Sequence, residues 1–228
     1  MTKTRALTGL SLGLAGLLLT GCAGSASPGV AVEIGDETIS ADRVDTAASH
    51  MCTALGDEFR GNGTVVPMGV IRQGVLQLLA LDSQASQIAE EYGVAAGPAY
   101  ERELASRRQA AESLPEEVRA DYVEVMAANA HANAVLEAAG RAKLEEEGFT
   151  NPSVEQVTQA GTDIFTSWPD SHGIEVDPRY GVELRDGSLA PADTSLSVAV
   201  SDTAKAGLAT EPEPGYTQGL LASHRCGG

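Results

Sequence analysis

Ala31-Val32-Glu33-Ile34-Gly35-Asp36-Glu37-Thr38-Ile39-Ser40 alternates apolar with other side chains, breaks at Gly35-Asp36-Glu37 and resumes as Thr38-Ile39-Ser40. That pattern predicts a short strand, a tight turn and a second short strand. Ser40 then presents a hydroxyl suited to capping a helix N-terminus. Beyond it, Val44, Ala48, Met51 and Leu55 recur at spacings of four, three and four, so one face of a helix is apolar and Cys52 borders that face. Gly61-Asn62-Gly63 breaks the chain.

From about Pro67 to Tyr92, Ile71, Val75, Leu78, Leu79, Ile88 and Tyr92 recur at helical spacing, which predicts a helix central to the core. Gly97-Pro98 restarts a helix whose body, Glu101 to Arg108, is mostly charged and belongs on the surface. Ser113-Leu114-Pro115-Glu116 fits a capping box with Ser113 as the cap, ahead of a long segment through Val118, Tyr122, Val125, Met126, Val135 and Leu136. Gly148 stops this helix, and Asn151-Pro152 starts another through Val154, Val157, Ile164, Phe165 and Trp168, ended by Pro169. After Gly173, Ile174-Glu175-Val176 and Ser195 to Val200 read as short strands among Pro178, Gly181, Gly187 and Pro191. The Glu- and Pro-rich stretch Ala209 to Gly215 reads as a disordered or loosely attached tail unless Cys226 ties it down. The fold class is therefore mainly α with a small β element.

Working back to the start, Lys3 and Arg5 precede an uncharged stretch, Ala6 to Thr20, that is rich in Leu and Gly. This is the layout of a signal peptide. The stretch is shorter than the roughly 20 residues a spanning helix needs, and it closes on Leu19-Thr20-Gly21-Cys22. Leu-Thr-Gly-Cys resembles the lipobox of bacterial lipoproteins, which implies transfer of a diacylglyceryl group to the Cys22 thiol and cleavage just before it. The alternative is an ordinary thiol after a generic signal peptide. On the lipoprotein reading, residues 1–21 are the leader and 22–29, Cys22 to Gly29, a flexible tether. Folding begins near Val30, and the roughly 200 residues beyond it suffice for one sizeable core.

The formal net charge is −17, and removal of Lys3 and Arg5 makes the mature chain two units more negative. With Lys and Arg sparse and scattered, no basic stripe exists to neutralise phosphates, so nucleic acid is not an expected partner. Anionic lipid heads would also repel this surface, leaving the Cys22 lipid to supply membrane affinity at the extracytoplasmic face of the cell membrane. Once Cys22 is lipidated, Cys52 and Cys226 are the remaining thiols in a compartment where disulfides persist, and they are expected to pair. The other reading is two unpaired thiols, one buried in a helix and one in a frayed tail.

The order of elements, with Gly35-Asp36-Glu37 in the turn, resembles the opening of SurA N-terminal domains. The long helices and the later Asp177-Pro178-Arg179-Tyr180-Gly181 are similar to lipoprotein members of that family, over roughly Val30 to Val200. The resemblance implies a domain over 30–200 in which the N-terminal strand pairs with a late strand, here placed around Asp177 to Gly181. Helices would then close over a cleft for extended client segments. Residues 201–228 are left as a loop or tail. Parvulin-type isomerase domains often accompany this module, and Gly148 to Asn151 is where one would enter. The chain passes directly into another helix instead, so isomerase activity is not carried over.

No catalytic site emerges. His50, His131, His172 and His224 sit in four different segments without a local acidic partner at metal-ligand spacing, so neither a metal nor another cofactor is expected. Gly9-Leu10-Ser11-Leu12-Gly13 matches a hydrolase motif but lies in the leader. Apolar surface is left as the working part. Met51, Met68 and Met126, with Ile71 and Tyr122, are candidate client-binding residues, and the same side chains serve equally as plain core. The expected function is chaperone-like holding of unfolded or extended polypeptide segments. The alternative is a structural lipoprotein that docks one cell-envelope partner, and no enzyme activity is expected on either reading.

Overall fold

The computed structural model describes residues 28–192, 201–207 and 213–227. Among these the chain is mainly helical with a few short antiparallel strands. Strands β1 (Val30–Ile34) and β2 (Glu37–Ser40) form the hairpin read from the opening stretch, with Gly35 at φ +52° in its turn. Helix α1 (Ala41–Gly61) starts at once, because the Ser40 side chain accepts from the Arg43 backbone N–H at 3.1 Å. A two-residue strand, β3 (Val66–Pro67), leads into α2 (Met68–Glu91). Helices α3 (Gly97–Ala111), α4 (Glu116–Glu146) and α5 (Val154–His172) follow. Strand β4 (Ile174–Val176) then returns to pair antiparallel with β1, so the sheet order is β2-β1-β4. The N-terminal strand thus lies between its own hairpin partner and a strand more than a hundred residues later.

The main core lies where β1, α2, α4 and α5 meet. Val32, Ile34, Leu76, Ile88, Val135 and Trp168 are among its buried members. α4 and α5 approach closely because glycines face each other. A Cβ on Gly140 would overlap the Val157 carbonyl oxygen and the Gly161 N–H, and one on Gly161 would overlap the Leu136 carbonyl oxygen.

Four boundaries differ from those read in the sequence. α4 begins at Glu116 behind Pro115, not behind a Ser113 cap, and the Ser113 hydroxyl donates back to the Ala110 carbonyl at 3.2 Å. The residue before a proline is pushed out of helical conformation, so Leu114 cannot carry the first turn. α5 is capped by Ser153, whose side chain and that of Gln156 form a reciprocal box, instead of starting on Asn151-Pro152. Pro169 does not end α5, which continues to His172 and stops at Gly173 with φ +80°. Proline lacks the N–H that would satisfy the Phe165 carbonyl one turn back. The side chain of Gln84, 2% exposed on α2, donates to that carbonyl at 2.9 Å and makes good the loss.

The fourth difference concerns Asp177 to Gly181, which is a single 3-10 turn (Pro178–Tyr180) instead of a strand. The Asp177 carboxylate accepts from the Arg179 N–H at 2.9 Å and fixes the turn. The late strand that meets β1 is the preceding Ile174–Val176. A hairpin not anticipated in the sequence follows, β5 (Val182–Arg185) with β6 (Ser188–Pro191). Asp186 at φ +50° and Gly187 at φ +76° form its turn, and Asp-Gly is the dipeptide that tolerates two positive φ angles.

Helix α6 (Asp202–Gly207), helix α7 (Pro214–Gly219) and strand β7 (Arg225–Cys226) show that the region read as loop or tail has regular structure. β7 pairs with β3, and Cys226 is disulfide-bonded to Cys52 with the Cα atoms 5.5 Å apart. Cys22, the leader, most of the tether and the proposed strand from Ser195 to Val200 lie outside the described residues. Among the described residues no helix is long and apolar enough to cross a membrane.

Candidate functional site

The five side chains singled out for client binding come together in one place. Met51 on α1 and Met68 at the start of α2 are buried, 4% and 7% exposed, in a cluster with Val75, Leu79, Val125 and Cys226. Ile71, Tyr122 and Met126 are half-buried and pack against it. In this conformation they form a second core beneath the disulfide.

Open space lies instead beside α3. Of its side chains only Ala111 is buried; Tyr100, Glu103, Leu104 and Arg107 are half-buried and form one narrow stripe. A helix attached by so thin a stripe leaves a cleft along each flank. One, of about 620 Å³, has Leu104, Ala111, Ala120 and Val123 as its apolar lining, with Arg108 and Glu124 among the charged groups around them. The other, of about 760 Å³, runs over a ladder of half-exposed alanines on α4, Ala130, Ala134, Ala138 and Ala142, and includes Glu137, Arg141 and Glu145. Tyr100 lines both. Clefts of this size admit several side chains of a ligand. In the sequence, Tyr100, Leu104, Arg107 and Ala111 at spacings of four, three and four carried the signal, but the surrounding charges masked it.

Three histidines find carboxylates on other helices. His131 Nδ1 is 2.8 Å from Asp82 Oδ1, and its ring stacks on Tyr100 with centroids 4.8 Å apart. His50 Nδ1 is 2.5 Å from Asp121 Oδ2, and Arg43 bridges Asp121 at 3.0 Å and Glu124 at 2.7 Å. His172 stacks on Trp168 at 4.3 Å, with Glu91 3.7 Å away. These partners are 49 to 81 residues distant, so local spacing could not reveal them. Burial pushes the Tyr100 phenol above its ordinary value of 10.0, and the negative charges of Asp82 and Glu101 add to the shift against a smaller opposing effect of Arg108. At neutral pH it therefore lines both clefts as an uncharged hydroxyl. Among the described residues no three His, Cys, Asp or Glu side chains stand together as a metal site.

No family model, curated protein or solved structure matches this chain.

Proposed function

We propose that this chain is an extracytoplasmic lipoprotein, anchored by a lipid on Cys22, that holds unfolded or extended polypeptide segments in the clefts flanking α3. The observation that carries this reading is the pair of clefts sharing Tyr100, each with an apolar lining and charged groups around it. The alanine strip of the larger cleft presents short side chains that leave room for varied ones on a ligand. The resemblance of the opening hairpin and helices to SurA N-terminal domains supports the same reading. The leader and Leu19-Thr20-Gly21-Cys22 support the anchor.

The test is suppression of aggregation. Mature chain beginning at Ala23, without lipid, is added at increasing ratios to a chemically unfolded substrate while light scattering is followed. Suppression near equimolar ratio is the expected result, and Leu104→Glu together with Ala134→Glu abolishes it by placing a charge in each cleft. A folded protein that leaves scattering unchanged would sink the reading.

One observation favours a second reading. The alanines of α4 recur every four residues along four turns, a flat strip on which a helix of one folded envelope partner could lie. On that reading Ala134→Glu abolishes partner binding, and the unmutated chain leaves scattering unchanged.

A further inference from the structure

The segment 213–227, whose Thr217 is buried, meets the body at its C-terminal end through a short strand, a turn and one covalent bond. Its strand β7 contributes two residues, with Val66 opposite Cys226 and Pro67 opposite Arg225. The turn before it, Ala222–His224, touches α2, and β7 touches α1. Gly227, at φ +81°, lies so close to the end of α1 that a Cβ there would overlap the Thr64 carbonyl oxygen and crowd Phe59. Cys226 is 1% exposed and inserts among the apolar side chains of the Met51 and Met68 cluster. This is how an extended peptide binds by strand addition: main-chain pairing to a free edge, one small side chain in an apolar pocket, and a glycine where the backbone approaches closely.

We infer that β3, the end of α1 and the start of α2 form a binding site for an extended polypeptide segment, which the chain's own residues 218–227 occupy, latched by the Cys52–Cys226 disulfide. A two-residue ladder is marginal by itself, so opening the latch frees the site. Cys52 is the less buried half of the bond, whereas Cys226 is enclosed, so attack is assigned to Cys52. A thiolate from an exposed dithiol attacks the Cys52 sulfur, and the Cys226 thiolate leaves with the strap and takes up a proton. The second thiol of the reductant then displaces the Cys52 thiolate, which is protonated in turn. The protein disulfide becomes two thiols while the dithiol becomes a disulfide, two electrons and two protons having passed. This site is separate from the clefts beside α3 and does not depend on them.

The test uses the full mature chain, oxidised or reduced with dithiothreitol, and a fluorescein-labelled peptide of residues 218–228 carrying Cys226→Ser. Fluorescence anisotropy is expected to show at least about tenfold tighter binding to the reduced chain, because a site occupied in cis weakens apparent affinity by the fraction left open. Amide exchange on the same samples loses protection at 64–68 and 213–227 while α4 and α5 keep theirs. Equal binding to both forms, or no binding to a reduced chain still helical by circular dichroism, would overturn the inference. So would global unfolding on reduction, which would make the bond a staple of the whole body. Aggregation suppression by the oxidised chain is a separate readout, so failure here and failure of the α3 clefts are told apart.

Discussion

Gln84 and Gln87 carry two repairs that the fold depends on. Gln84 supplies the donor that Pro169 removes from α5. Gln87 donates to the Ile34 carbonyl at 2.9 Å and accepts from the Asp36 N–H at 3.0 Å, so it closes the backbone polar groups of the first hairpin turn. On the same helix Gln77 donates to the Leu189 carbonyl at 3.0 Å, and Gln73 to the Gly181 carbonyl at 2.9 Å. Gln84→Leu keeps the bulk and leaves the buried Phe165 carbonyl unsatisfied, which costs about 1–3 kcal/mol in urea unfolding. Glu175→Lys should do the reverse. Glu33 and Glu175 are directly opposed across β1 and β4, and replacing a like-charge pair by an opposite one adds about 0.2–1 kcal/mol. Tyr92, Tyr100 and Tyr180 all have pKa values raised above 10.0, burial being the first cause in each. A phenol whose folded pKa is raised contributes stability that is complete below the unfolded value and is lost as pH climbs through the folded one. Ultraviolet titration should therefore show these three ionising above the ordinary phenol range, and stability falling above about pH 10. The glutamines were not read as structural in the sequence, because each donates to a carbonyl on a segment that only the fold brings near.

At the scale of elements, α4 against α5 is the contact least able to give. Main chain meets main chain at Gly140 and Gly161, so Gly161→Val must push the helices apart and costs about 3 kcal/mol, at the upper end of overpacking penalties. Thermal unfolding followed by circular dichroism measures it. The five long helices and the first hairpin were legible because apolar spacing and a glycine turn report burial directly. The starts of α4 and α5 were misplaced because Ser113 and Ser153 both precede a plausible first turn, and only Pro115 and the chain beyond decide between neighbours. Asp186-Gly187 did announce the β5–β6 hairpin, but the isolated glycines and prolines around it drew the reading toward loop. The thin stripe that attaches α3 was visible at Tyr100, Leu104, Arg107 and Ala111; that it leaves a cleft on each side depends on how α2 and α4 lie, which no local pattern encodes.

For the whole molecule, the Cys52–Cys226 bond closes a loop of 174 residues around the helical body. In the chain-entropy model such a bridge is worth about 5 kcal/mol, so reduction should lower the unfolding midpoint steeply even while the body remains folded. A chain of net charge −17 repels itself, and added salt should raise that midpoint by screening. Mass spectrometry of protein extracted from membranes should find the mature chain starting at a diacylglyceryl-modified Cys22. The clefts beside α3 are the part of this account on which function rests, and amide hydrogen exchange tests them most directly. The oxidised chain is mixed with a chemically unfolded substrate diluted out of denaturant, and exchange is compared with and without it. The account predicts new protection in residues 94–111 and along α4 from Ala120 to Ala142. Protection confined to other segments, or none while scattering falls, would contradict it.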